Sequence, residues 1–172
     1  SAGLSGEWNL GKGGQLTANY AFDQYDKSIY QTKNKLDIRN YSNVQNSVRL
    51  LYTLNLRGED VLSAGADYMH DYILNTHLEG KERKQDAFDA FVQYDWNIDK
   101  AWELVGALRY DFFSDHNISQ LTPKINLRYT PIRNFNIRLG YGMGFRAPTL
   151  KEKYYNFDMS GIWIVEGNQN LK

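Results

Sequence analysis

The chain has 172 residues, with 20 Lys and Arg balanced by 20 Asp and Glu, so no net field draws it to a nucleic-acid backbone and nucleic acid is excluded as a partner. Thirteen Tyr, eight Phe and four Trp exclude a disordered chain despite a mean hydropathy of −0.61. The longest unbroken apolar stretch, Ile162 to Val165, is far short of the ~20 residues of a membrane-spanning helix, and the absence of Cys excludes disulfides and thiolate metal sites.

Strict alternation of apolar with polar or small residues recurs eight times, which predicts an all-β chain. The expected strands begin with residues 4–10 (Leu4, Trp8, Leu10), 15–22 (Leu16, Tyr20, Phe22), 44–56 (Val48, Leu50, Tyr52, Leu54) and 61–73 (Leu62, Ala64, Ala66, Tyr68). They continue with 86–96 (Phe88, Val92, Tyr94, Trp96), 102–113 (Trp102, Leu104, Leu108, Tyr110), 121–130 (Ile125, Leu127, Tyr129) and 135–146 (Phe135, Ile137, Leu139, Tyr141). Short turns at Gly11–Gly14, Arg57–Asp60, Asn97–Ala101 and Pro131–Asn134 alternate with long polar connections at 23–41, 74–84, 114–120 and 147–172. In an up-and-down meander this puts tight turns at one end and large loops at the other, as in membrane barrels.

The opposite faces of the same strands carry Arg49, Asp67, Asp71, Asp89, Asp95, Glu103, Arg109, Asp111, Arg128 and Arg138, a set suited to a polar lumen. No charged residue falls among the apolar positions, and rings gather beside the turns (Trp8, Trp96, Trp102, Tyr129, Phe135), where an interfacial girdle belongs. A soluble β sandwich or barrel with one solvated face gives the same alternation, and a self-contained eight-stranded structural barrel also fits the strand count. Arg49 is expected diagonally near Asp67 and Asp71. Arg128 and Arg138 come out as direct neighbours across the Pro131 turn, a like-charge pair that asks for an acid, which another segment filling the barrel could bring.

Candidate site residues cluster late. Tyr154, Tyr155, Phe157, Met159 and Trp163 suit stacking on a flat or aromatic ligand, with a self-closing hydrophobic knot as the plainer reading. His116 joins them at the long-loop end; with His70 and His77 it reads as solvated or interfacial rather than as a metal ligand, so no metal site is expected there. Asp23 and Asp26 are a weak Ca²⁺ pair. Nothing reads as a catalyst: Gly11-Lys12-Gly13-Gly14 joins strands instead of opening a phosphate-binding helix, and no nucleophile elbow is present, so no enzyme is expected.

Near the end, Gly140-Tyr141-Gly142-Met143-Gly144-Phe145-Arg146-Ala147-Pro148 puts three glycines on the polar face before a proline that cannot continue a ladder. Thr149 and Glu152 fit a capping box, predicting a helical turn over 151–155. The run Phe145, Arg146, Ala147, Pro148, followed by Gly167, Asn168, Asn170 and Leu171, resembles the FRAP and NPNL boxes of TonB-dependent outer-membrane receptors of the haem and siderophore type. Gln169 stands where the second box usually has Pro, and 146–168 holds no His, where haem receptors of this type commonly carry an axial ligand.

The resemblance implies that residues 1–172 are part of a larger transmembrane β-barrel of ~22 strands in the outer membrane of a Gram-negative bacterium, with no plug domain in this stretch. It further implies outer-membrane lipid, the protein's own plug domain, TonB and a small-molecule metal complex as partners. The transported ligand would be haem, a ferric siderophore or a cobalamin-like compound, with no tightly bound cofactor.

Overall fold

The computed structural model describes residues 1–56, 59–76, 82–114 and 117–146, the side chains of Ile29 and Gln31 apart, and the backbone of 157–159 and 163–165. Eight strands run in chain order as one antiparallel meander: β1 (Ala2–Gly11), β2 (Gly14–Gln31), β3 (Leu36–Asn55), β4 (Val61–Asn75), β5 (Glu82–Asn97), β6 (Trp102–Phe113), β7 (Ile118–Ile132) and β8 (Phe135–Gly142). The sheet does not close on itself; β1 and β8 form its two edges. A separate short hairpin joins β9 (Phe157–Met159) to β10 (Trp163–Val165).

The register assigns every apolar set to one face. Tyr20 opposes Val48, Val48 opposes Tyr68, Tyr68 opposes Phe88 and Phe88 opposes Phe112, so rings and branched aliphatics continue from strand to strand. This face is bare: Leu50 is 45% and Val92 46% exposed. The other face carries the charges yet is the more enclosed, with Asp111 at 5% and Asp71 at 7%. A soluble sandwich buries its apolar face, because that burial is what drives folding in water; here the polarity is inverted, as in a barrel whose outer surface meets hydrocarbon.

Polar groups bound the bare band. On the outward face Asn46, His70 and Asp86 lie in one cross-strand row, where Tyr20 donates to Asn46 Oδ1 at 2.8 Å and Tyr68 to Asp86 Oδ1 at 2.7 Å. At the tight-turn end Tyr94 donates to Asp60 Oδ2 at 2.8 Å, and Trp102 stacks on Tyr129 with centroids 4.0 Å apart. Between His70 and Asp60, β4 offers about nine residues, the length a tilted strand uses to cross hydrocarbon. The outward face therefore does admit one carboxylate within the expected strands, Asp86, and it sits at the boundary, where it can be hydrated.

The structure lengthens several expected strands. Residues 23–41, expected as a loop, are strand through Gln31 and again from Leu36, with only 32–35 turning. Above the boundary row a strand no longer needs an apolar outward face, so alternation fades although backbone pairing continues. At ~3.3 Å per residue the eight residues from Gln24 to Gln31 reach roughly 25 Å beyond the row. Likewise β5 starts at Glu82 and β7 at Ile118, shortening the loops expected at 74–84 and 114–120. β8 differs the other way, stopping at Gly142 with Met143 adding one bond to the Pro123 carbonyl, whereas β7 runs on through Pro131 and Ile132, so the last turn is Arg133-Asn134. Pro123 is tolerated within β7 because its missing N–H lies on the same side as its carbonyl, facing β8 where that strand is ending.

Candidate functional site

The inward face of β2–β7 holds one continuous polar row: Asn19 opposes Arg49, Arg49 opposes Asp67, Asp67 opposes Asp89, Asp89 opposes Asp111 and Asp111 opposes Gln120. Three carboxylates on adjacent strands repel one another, and two arginines intervene. Arg49 donates through Nε to Asp67 Oδ1 at 2.6 Å. Arg109, on the next inward position of β6, reaches two acids, with Nη2 3.2 Å from Asp89 Oδ2 and Nε 2.8 Å from Asp111 Oδ1. Two cations against three anions leave the row net negative. Asp89 Oδ1 is enclosed without a hydrogen-bond partner among the described residues, as is Asp95 Oδ1. Asn19, Arg49, Asp67, Asp89 and Arg109 line a concave pocket of about 500 Å³.

Arg49 thus meets Asp67 directly, not diagonally; Asp71 takes its hydrogen bond from Asn43 Nδ2 at 2.8 Å instead. The sequence offered a signal for the carboxylate row in the equal spacing of Asp67, Asp89 and Asp111, each 22 residues from the next, but spacing becomes contact only once each hairpin's register is fixed.

Towards β8 the wall changes sign. Arg128 and Arg138 are direct cross-strand partners, as expected. The acid they need is partly supplied within the sheet: Glu103, opposite Arg128 on β6, forms an ion pair with it. Glu103, Asn126, Arg128, Arg138 and Gly140 line a second hollow of about 380 Å³. A Cβ on Gly140 would stand 2.7 Å from Asn126 Oδ1, so glycine is required there for the Asn126 side chain to lie across the neighbouring strand.

Tyr154, Tyr155 and His116 lie outside the described residues, as do His77, the capping box at Thr149 and Glu152, and Ala147, Pro148, Gly167, Asn168, Asn170 and Leu171 of the two boxes. Of the remaining motif residues, Arg146 lies in the described stretch after β8 and the Phe145 ring lies 6.2 Å from that of Phe113. Backbone register sets Trp163 opposite Met159 and Val165 opposite Phe157. Asp23 and Asp26 do not form a cation pair: an odd separation along a strand puts them on opposite faces. Asp26 is engaged by the Ser42 hydroxyl at 2.6 Å, the Gln24 amide at 2.8 Å and Arg39 at 3.4 Å. The Ser42 bond, with Gln24 and Arg39 behind it, holds its carboxyl below the ordinary value of 3.8. His70 Nδ1 lies 2.7 Å from Asp86 on the outward face, and no group of three or more His, Asp or Glu among the described residues is placed to hold a metal.

A family model described as TonB dependent receptor-like, beta-barrel, matches residues 1–172. The chain is similar to the vitamin B12 transporter BtuB of Vibrio cholerae serotype O1, 32% identical over 93 residues, which is 54% of this chain and 15% of that protein. Among solved structures it resembles the siderophore receptor PirA of Pseudomonas aeruginosa, with a TM-score of 0.70, 18% identity and coverage of 88% of this chain and 28% of that one. It also resembles the ferric enterobactin receptor PfeA in complex with BCV-L6, with a TM-score of 0.69, 15% identity and coverage of 87% and 25%. The chain thus spans less than a third of each of these relatives.

Proposed function

This chain belongs to the TonB-dependent receptor β-barrel family, outer-membrane proteins of Gram-negative bacteria, and from that premise we propose that the whole protein imports a scarce metal complex, a cobalamin-like compound or a ferric siderophore. The observation that carries the proposal is the inverted polarity of the sheet, apolar outward and charged inward, which makes this segment a wall of a transport lumen. Support for the ligand class comes from the relatives, one named for vitamin B12 transport and two for siderophore reception. Haem stays in the assay as a third arm, since the FRAP-like box resembles receptors of that type. We read the protein as a receptor and not an enzyme, with its own plug in the lumen and TonB as the energy-coupling partner.

Within this reading Tyr154, Tyr155, Phe157, Met159, Trp163 and His116 form the ligand-contacting set at the loop end, rings stacking on a flat complex while the polar wall below faces the plug and the path. The test is growth of a deletion strain with cobalamin, a ferric siderophore or haem as the limiting source. Loss of growth on one identifies the ligand; undiminished uptake of all three overturns the import reading.

A further inference from the structure

A β-bulge inverts the face assignment of the β2–β3 extension above the boundary row. As far as Lys27 and Tyr41 the two strands pair without interruption; the next pair is Ser28 with Arg39, so Asn40 is an extra residue on β3. Because side chains alternate along a strand, that one insertion moves every β3 side chain beyond it to the other face. Contacts on both faces agree. Arg39 lies 3.4 Å from Asp26, whose partner across the ladder is Ser42 on the outward side, and the Tyr25 ring meets that of Tyr41 on the inward side. Arg39 and Asp37 thus face outward with Asp26, while Ile38 and Leu36 face inward with Tyr25 and Tyr41. An unbulged ladder of the same sequence would do the reverse, turning Ile38 and Leu36 away from the lumen axis and Arg39 toward it.

The bulge is held from the neighbouring strand. The Asn40 carbonyl accepts the Thr76 N–H at 3.0 Å and the Thr76 hydroxyl at 3.4 Å, which fixes the extra residue at the end of β4. The face assignment follows from the pairing of β2 with β3 and owes nothing to the open edges of the sheet. Above the band no hydrocarbon meets these strands, so lipid does not explain their apolar side chains. Tyr25 is 59%, Leu36 53% and Ile38 43% exposed; such a patch in water marks a surface that another body covers. It continues the inward face of β2 and β3, the wall along which the cargo travels.

We propose that the Asn40 bulge is a positioning device: it presents Tyr25, Leu36 and Ile38 to the mouth of the lumen as an apolar panel that contacts the apolar or aromatic face of the transported metal complex. The proposal rests on the import reading above and adds to it the residues that make one contact and the backbone feature that aims them.

The test places single cysteines, L36C, D37C, I38C and R39C, in the full-length receptor in a background free of other cysteines. Their labelling by a water-soluble maleimide is followed on intact cells with and without cyanocobalamin, ferric enterobactin or haem. At ten times its dissociation constant, the complex that the receptor imports is expected to slow labelling of L36C and I38C about tenfold and to leave D37C and R39C unchanged. Deleting Asn40 is expected to transfer the protection to D37C and R39C. In the receptor without cysteines the same deletion is expected to raise the KM of uptake about tenfold with the maximal rate retained, since two aliphatic side chains then turn away from an apolar contact. N40G keeps the extra residue and is expected to keep the native pattern. Heat-modifiable gel migration verifies that each variant keeps its barrel, and the four labelling rates in the undeleted chain decide the matter even where the deletion variant does not fold. Equal protection on both faces, or none at L36C and I38C by a complex that is imported, overturns the proposal and leaves the import reading standing. Dependence of none of the three complexes on the receptor overturns both.

Discussion

Arg109 and Arg49 do unequal work. Arg109 bridges Asp89 and Asp111, whereas Arg49 serves Asp67 alone. R49A is expected to cost about 1 kcal/mol, the range of a partly exposed ion pair, and R109A more, since it leaves adjacent carboxylates without a shared cation. Urea unfolding of the full-length barrel in vesicles measures both; equal costs would refute the bridging role. Asp26 adds a pH dependence. Its folded value lies below the ordinary 3.8, so its contribution to the β2–β3 hairpin is fully present above the ordinary value and is lost as pH falls through the lower one. Hydrogen-exchange protection of residues 23–41, taken relative to the intrinsic exchange rate at each pH, is expected to fall on acidification past that point, and less so in D26N. Of the site, the sequence shows the residue types and the face they occupy. It does not show that Glu103 meets Arg128 or that Asp23 and Asp26 diverge, since the first depends on pairing between strands and the second on residues 23–31 being strand at all.

At the level of elements, the turns set the register on which those contacts depend. Gly11, Lys12 and Gly13 all have positive φ, at 74°, 50° and 82°, and a Cβ on Gly13 would stand 2.6 Å from the Asn55 carbonyl oxygen, which accompanies the Asn55 N–H donating to Gly13 O at 2.9 Å. G13A therefore combines backbone strain with a clash, and is expected to destabilise β1–β3 by about 1–3 kcal/mol, measured as a lower urea midpoint. Turn chemistry of this kind is legible locally. The β2–β3 extension was not, because a hairpin standing clear of the bilayer has water on its outward side and its sequence loses the apolar repeat, leaving Tyr25–Tyr41 ring contact and paired backbone to hold it.

For the whole molecule, inverted polarity makes the outward face the sensitive one. V92R or L50R, within the bare band, is expected to cost about 2–4 kcal/mol, falling towards zero at the level of Asn46 and Asp86. Folding in vesicles of increasing urea measures the gradient, and a cost independent of depth would argue against a lipid-facing band. That the chain is a meander of β-strands with one apolar and one charged face follows from the order of its residues alone, because alternation with a period of two is a local property of each strand. Which face is bare, how far the strands run beyond the band, and which charges meet emerge only in the folded sheet. Those outcomes depend on curvature and on register accumulated across seven hairpins, and a register is a relation between strands that no single strand contains.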